Sequence, residues 1–123
     1  VWVEFTGNTR AVRFAEVRAR VTGRLEEMLF EPSTRVEAGQ ELFRIERAAY
    51  AAARDAAAAQ LASAKAELAR AESDLSRVRQ AIETDAVSRQ DLDLSVALRD
   101  QAEAAVMAAL AALDNAELEL SYT

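Results

Sequence analysis

The sequence predicts a mainly α protein with a small β part: a long antiparallel α-helical coiled-coil hairpin attached to half of a β-sandwich. Three observations carry that reading. Gly7, Gly23, Pro32 and Gly39 all fall in the first third, and no Gly or Pro follows Gly39. From Ala48 onward, apolar residues repeat every seven positions, with about a third of the residues alanine, the best helix former. Before Arg47 the pattern is instead short, β-rich and punctuated by turns.

Val1-Trp2-Val3-Glu4-Phe5-Thr6 is rich in β-formers and ends at the turn signal Gly7-Asn8. From Ala11 to Val21, the apolar Val12, Phe14, Val17, Ala19 and Val21 alternate with Arg13, Glu16, Arg18 and Arg20, slipping phase once at Ala15-Glu16. Such alternation expects a strand with one buried face and one bulge. Arg24–Phe30 and Leu42–Ile45 are two further short strands. Pro32 places a loop between them, since it cannot donate to a ladder, and Glu37-Ala38-Gly39-Gln40 is a turn. These strands are too few to close a core and leave edges that must pair with something else.

In the second part, Leu61, Leu68, Leu75 and Ile82 alternate with Ala57, Ala64, Ala71 and Val78 at spacings of four and three. That is a heptad seam, with a large side chain on one row and a small one on the other. Leu92, Val106, Leu113 and Leu120 with Ala102, Ala109 and Ala116 repeat the recipe, broken at Ser95 and Arg99. A connector of a few residues near 84–88 forces the two helices antiparallel. Ser88-Arg89-Gln90-Asp91 opens the second helix as a capping box with Asp in place of Glu. Arg70/Asp74, Arg79/Glu83, Arg89/Asp93 and Arg99/Glu103 are i,i+4 pairs of a solvated face, as Arg77/Asp74 is at i,i+3. Leu94, Val96 and Leu98 lie off the seam, so the second helix carries more apolar surface than a two-helix hairpin buries.

Composition excludes much chemistry. The 123 residues contain no Cys and no His, which removes thiol nucleophiles, disulfides, thiolate metal sites and the commonest general base. The net charge of −6 argues against a nucleic-acid partner. It resides wholly in residues 48–123, because residues 1–47 carry eight acids and eight bases. Asp91 and Asp93 diverge at i,i+2 and make no acid–base pair. A swinging-arm carrier needs a lysine in a strand–strand turn, whereas the only lysine, Lys65, lies mid-helix. No enzyme activity, cofactor or metal is expected. A membrane-surface helix would favour Lys and Arg on its polar face, unlike these acidic helices. An N-terminus without Met or a basic-then-apolar leader is expected of a processed or excised fragment.

Several segments, in order, carry a resemblance. They are Val3–Gly7, Glu16–Gly23, Val36–Glu46, Tyr50, Ser88–Asp93 and Leu118–Thr123. Together they resemble the periplasmic adaptor subunits, or membrane fusion proteins, of tripartite efflux pumps, in particular those serving resistance–nodulation–division transporters. The resemblance implies a lipoyl-like β-sandwich split in sequence by the hairpin. Residues 1–10 would edge a β-barrel domain, 11–47 form the first lipoyl half, 48–120 the hairpin, and 121–123 begin the return strand, with the rest of the protein absent.

It further implies periplasmic localisation in a Gram-negative bacterium, with the full-length protein associated with the inner membrane. The partners would be an inner-membrane transporter, an outer-membrane channel protein, and further copies of the adaptor in a ring or dimer. In the family the hairpin tip meets the channel through an Arg, a Leu four residues on and a Ser seven further. Arg77, Ala81 and Ser88 stand at those places; Ala81 departs from Leu, with Ile82 beside it. Two alternatives stay open: an adaptor of an ABC transporter or type I secretion system, and a generic dimerising coiled-coil structural protein.

Overall fold

A computed structural model describes residues 2–84 and 86–123. The element order is β1 (Leu25–Met28), β2 (Phe43–Ile45), α1 (Ala48–Glu83) and α2 (Arg89–Ser121). At 1.5 Å per residue each helix is about 50 Å long. The two helices lie antiparallel against each other, and the small sheet sits at the base of the pair.

The seam holds the helices together. Leu61, Ala64, Leu75 and Ala109 are the buried apolar residues, and Leu61, Ala64 and Ala109 form one cluster with Val106 and Leu113 packed against it. Every other residue of the two predicted rows is half-buried: Ala57, Leu68, Ala71, Val78 and Ile82 on α1, and Leu92, Ala102, Val106, Leu113, Ala116 and Leu120 on α2. Alanine on one row lets the backbones approach, while leucine on the other fills the gap between them. Most of the rest of each helix faces solvent, where alanine favours the helix by propensity.

At Ser95 and Arg99 polar residues interrupt the Leu/Ala recipe, as the sequence shows, and the helix runs on through them. Both residues are half-buried and keep the seam's phase within an unbroken α2. Of the expected charge pairs, Arg70–Asp74 is long at 3.9 Å and Arg99–Glu103 is formed at 3.0 Å. Arg54 continues the leucine row toward the base. Its Nε is 3.1 Å from Asp55 Oδ1, yet it makes no hydrogen bond of acceptable geometry.

The sheet is smaller than the sequence pattern expects. β1 and β2 pair antiparallel, Leu25 opposite Ile45 and Met28 opposite Phe43, with an irregularity between Leu25 and Glu27. Arg44 Nη1 crosses the pair to Glu27 Oε2 at 2.8 Å, and Phe30 meets Phe43 edge to face at 5.3 Å. Residues 2–24 form no strand, although two were expected over 1–6 and 11–21; Val1 lies outside the described residues. Trp2, Val3, Phe5, Val12, Phe14 and Val17 are all exposed. The alternation is present, but a strand needs a neighbour to satisfy its backbone groups, and none of the described residues supplies one.

The turn at Glu37–Gln40 closes with Gln40 N–H donating to the Glu37 carbonyl at 3.2 Å. Gly39 takes φ 86° there, the left-handed position that a glycine occupies without strain.

Several contacts weld the sheet to the base of the hairpin. The Tyr50 hydroxyl donates to the Thr22 carbonyl at 2.6 Å. The Arg20 guanidinium stands 4.9 Å over the Tyr122 ring, a cation–π contact. Gly23 packs so closely that a Cβ there would lie 2.6 Å from Ile45 Cγ2. On one side of β2, Glu46 N–H donates to the Arg24 carbonyl; on the other, Ile45 N–H donates to the Thr123 carbonyl at 3.1 Å. The chain therefore leaves β2, runs out and back along the hairpin, and returns to the opposite edge of the same strand.

Candidate partner-docking site at the hairpin tip

The tip is the one end of the hairpin not anchored to the sheet. α1 closes by folding its connector back: the Ala81 carbonyl accepts from the Thr84 N–H at 3.3 Å, the Thr84 hydroxyl at 3.0 Å and the Ala86 N–H at 3.0 Å. That supplies donors from the connector to one of the carbonyls that the end of α1 leaves free, without a left-handed glycine cap. α2 then opens with the full capping box. Ser88 Oγ accepts from Asp91 N–H at 3.2 Å, and Asp91 Oδ2 accepts from Ser88 N–H at 2.9 Å and from its hydroxyl at 2.7 Å.

These bonds hold the Asp91 carboxyl below the usual carboxylate range. The Ser88 hydroxyl is the main cause and the Ser88 N–H the second, with desolvation opposing weakly. A lowered folded value means that the cap's support is complete above the unfolded value and is lost as pH falls through the folded one. Protection of the first amides of α2 is therefore expected to hold at neutral pH and to drop only under strong acidification. Ser88→Ala is expected to cost about 1 kcal/mol and to shrink that acid step in hydrogen exchange, leaving only the part held by the backbone N–H at position 88.

Arg77 is exposed and ion-paired with Asp74. Ala81 lies one turn on, half-buried, on the same face as Arg77. Ile82 belongs to the leucine row, seven residues beyond Leu75, and is half-buried there, so it does not take Ala81's place beside Arg77. Ser88 is exposed at the apex, with its hydroxyl engaged in the cap.

The apolar surface on Arg77's flank comes from the other helix. Asp74 and Leu98 line one cleft between α1 and α2. Arg77 stands a turn beyond Asp74, and Leu94 a turn beyond Leu98, both toward the tip. Leu94 is 60% exposed and Leu98 51%, whereas Val96 is half-buried. The flank thus offers a guanidinium, a small alanine and two exposed leucines, with a hydroxyl at the apex. Off-seam Leu94 and Leu98 were the sequence signal for this surface; their placement beside Arg77 needed the pairing of the helices.

Such a set can dock a protein surface; it offers no nucleophile–base pair. Among the described residues no group of three or more acidic side chains is placed to hold a metal ion, and no helix is long and apolar enough to cross a membrane.

Residues 53–123, more than half of the chain, match the family model described as RND MFP, alpha-helical hairpin domain. The chain belongs to the membrane fusion proteins of resistance–nodulation–division type. As a membrane fusion protein it is 37% identical over its whole length to the multidrug efflux pump subunit AcrA of Escherichia coli K12, covering 31% of that protein. It is 44% identical over 119 residues to the membrane fusion protein MtrC of Neisseria gonorrhoeae, with 97% of this chain aligned to 29% of that one. To the efflux pump periplasmic linker BepD of Brucella suis it is 41% identical over 123 residues, all of this chain and 31% of the relative. The chain spans about three-tenths of the length of these relatives.

Proposed function

We propose that this chain is the hairpin-bearing part of a periplasmic adaptor that links an inner-membrane efflux transporter to an outer-membrane channel. The role is structural, and the chain performs no chemistry of its own. The hairpin is a stiff arm whose tip docks the channel through Arg77, Ala81 and Ser88, with Leu94 and Leu98 supplying the apolar contact that Ala81 is too small to make. Copies of the arm stand side by side around an axis as a conduit. The observation that carries this reading is the tip flank itself: exposed leucines and an exposed arginine on the free end of a hairpin fixed at its other end, in a chain of this family.

The base fits the same reading. Residues 11–47 are the first half of a lipoyl-like sandwich, 1–10 the edge of a barrel and 48–120 the hairpin; the return strand, expected from 121, starts only past Ser121, where α2 ends. The hydrogen bond from Ile45 to Thr123 supports a return strand along β2, and the exposed apolar residues of 2–17 await the neighbours that such domains provide.

Arg77→Asp tests the tip. In the full-length adaptor it reverses a charge on an exposed residue, so helicity is expected to stay intact and channel docking to fall. Efflux complementation in a strain lacking its own adaptor is expected to drop about tenfold or more, in line with loss of a charged contact. Unchanged complementation would remove Arg77 from the docking site.

A further inference from the structure

Two rows of residues seven apart run down opposite outer corners of the hairpin. On α1 the row holds Ser63 and Arg70; on α2 it holds Asp100 and Met107. Arg70 lines the cleft on Arg77's flank, and Ser63, two turns before it, takes the same side of α1. Asp100 stands on the opposite flank, where its ion-pair partner Arg99 lines a second cleft, and Met107 follows it two turns on. All four residues are exposed, so each row turns away from the other helix of its own hairpin.

The rows are level with each other. Leu61 and Ala64 share a cluster with Val106 and Ala109, which puts Ser63, between the first two, at the height of Met107, between the second two. Arg70 and Gln101 line one cleft, which puts Arg70 at the height of Asp100. Going from base to tip, one corner is small and then cationic, while the other is large and apolar and then anionic. Met107 is 63% exposed and Leu110, a turn toward the base, is 47% exposed; the two-helix seam has no place for either. The surface beside Ser63 is small, with Ala59 and Ala66 exposed around it, the kind of hollow that receives a knob from another helix. Arg70 reaches Glu67 and Asp74 on its own helix only at 3.9 Å, so its guanidinium has no close partner there. One heptad nearer the tip the corners carry Arg77 and Asp93, again opposite in charge. Arg77 belongs to the docking flank, and the match stands without it.

We infer that each corner is filled by a second copy of this chain, the Asp100–Met107 corner of one arm seated on the Ser63–Arg70 corner of the next with no axial offset. Met107 and Leu110 pack onto Ala59, Ser63 and Ala66, and Asp100 pairs with Arg70. The two corners differ and face opposite ways, so the contact is head-to-tail and repeats from copy to copy with every tip level, as a closed ring requires. Sliding one copy by a heptad, about 10 Å, separates Asp100 from Arg70 and takes Met107 off Ser63. The contact rests on the reading of the arms as standing side by side, and supplies the faces and the register of that arrangement.

Disulfide cross-linking between two differently tagged full-length copies tests it, in cells lacking their own adaptor. Ser63→Cys on one copy and Met107→Cys on the other are expected to give a mixed dimer as the main product. Two Ser63→Cys copies, or two Met107→Cys copies, are expected to give little. Adding Arg70→Asp to the Ser63→Cys copy is expected to lower the mixed product about fivefold, in line with an exposed ion pair. Adding Asp100→Arg to the other copy as well is expected to restore it. A mixed product no stronger than the same-residue products overturns the contact, and so does a charge reversal that the second reversal fails to rescue. Efflux is read in the same cells to keep the two readings apart. Efflux without the mixed dimer overturns this contact alone, whereas a mixed dimer without efflux supports the contact and counts against the adaptor.

Discussion

Leu61→Asp is expected to unzip the hairpin. Leu61 is 7% exposed and belongs to the apolar cluster that joins the helices toward the base. No base stands in that cluster to pair a carboxylate, so the substitution removes apolar burial and places an unmatched charge there. The expected loss is about 3 kcal/mol, combining the packing and desolvation costs. A two-helix seam has little else to draw on, because the solvent faces contribute only propensity and exposed ion pairs. The melting curve of the intact protein, followed by helical circular dichroism, should shift down markedly. Ala62→Asp supplies the control: its neighbour position is exposed, and it should cost no more than about 0.7 kcal/mol in helix propensity. Equal melts for the two variants would contradict the seam.

Gly23→Ala is expected to be the costliest small change at the base. The added methyl would lie 2.6 Å from Ile45 Cγ2, well inside contact distance, and Ile45 is itself held between Leu25 of β1 and the returning Thr123. Overpacking of this kind costs about 1–3 kcal/mol. A double-mutant cycle with Ile45→Ala separates the clash from any general loss at Gly23, because shortening Ile45 should recover part of the stability lost. A neutral Gly23→Ala would mean that the two chains do not approach as closely as described.

How much of this was legible from sequence varied by element. The helices and their antiparallel pairing were, because Leu61, Leu68, Leu75 and Ile82 repeat at a period only a helix can bury. Even the apparent breaks at Ser95 and Arg99 follow the seam, since helical phase is set by the backbone and not by the polarity of one residue. The Ser88–Asp91 cap was legible because its bonds are local. The strands were less so. β1 and β2 were within reach of the turns that bound them, but the alternation over 11–21 describes a face, and a face becomes a strand only beside a partner. The tip flank was half legible: Leu94 and Leu98 stand out as off-seam leucines, yet their side of the hairpin follows only from how α1 meets α2. Ile82 illustrates the opposite case, adjacent in sequence to Ala81 but committed to the seam by its place seven residues after Leu75.

The meeting of Ile45 and Thr123 on one strand edge makes the arm an adjustable part. Both ends of the excursion lie within a hydrogen bond of each other, so everything between them can be lengthened without separating the strands they join. Seven residues added to each helix would carry the tip about 10 Å outward and keep both rows in phase. Seven added to only one would leave the helices mismatched and force the connector to one side. Reach is thus set by a whole number of matched repeats, independently of the base that bears the load.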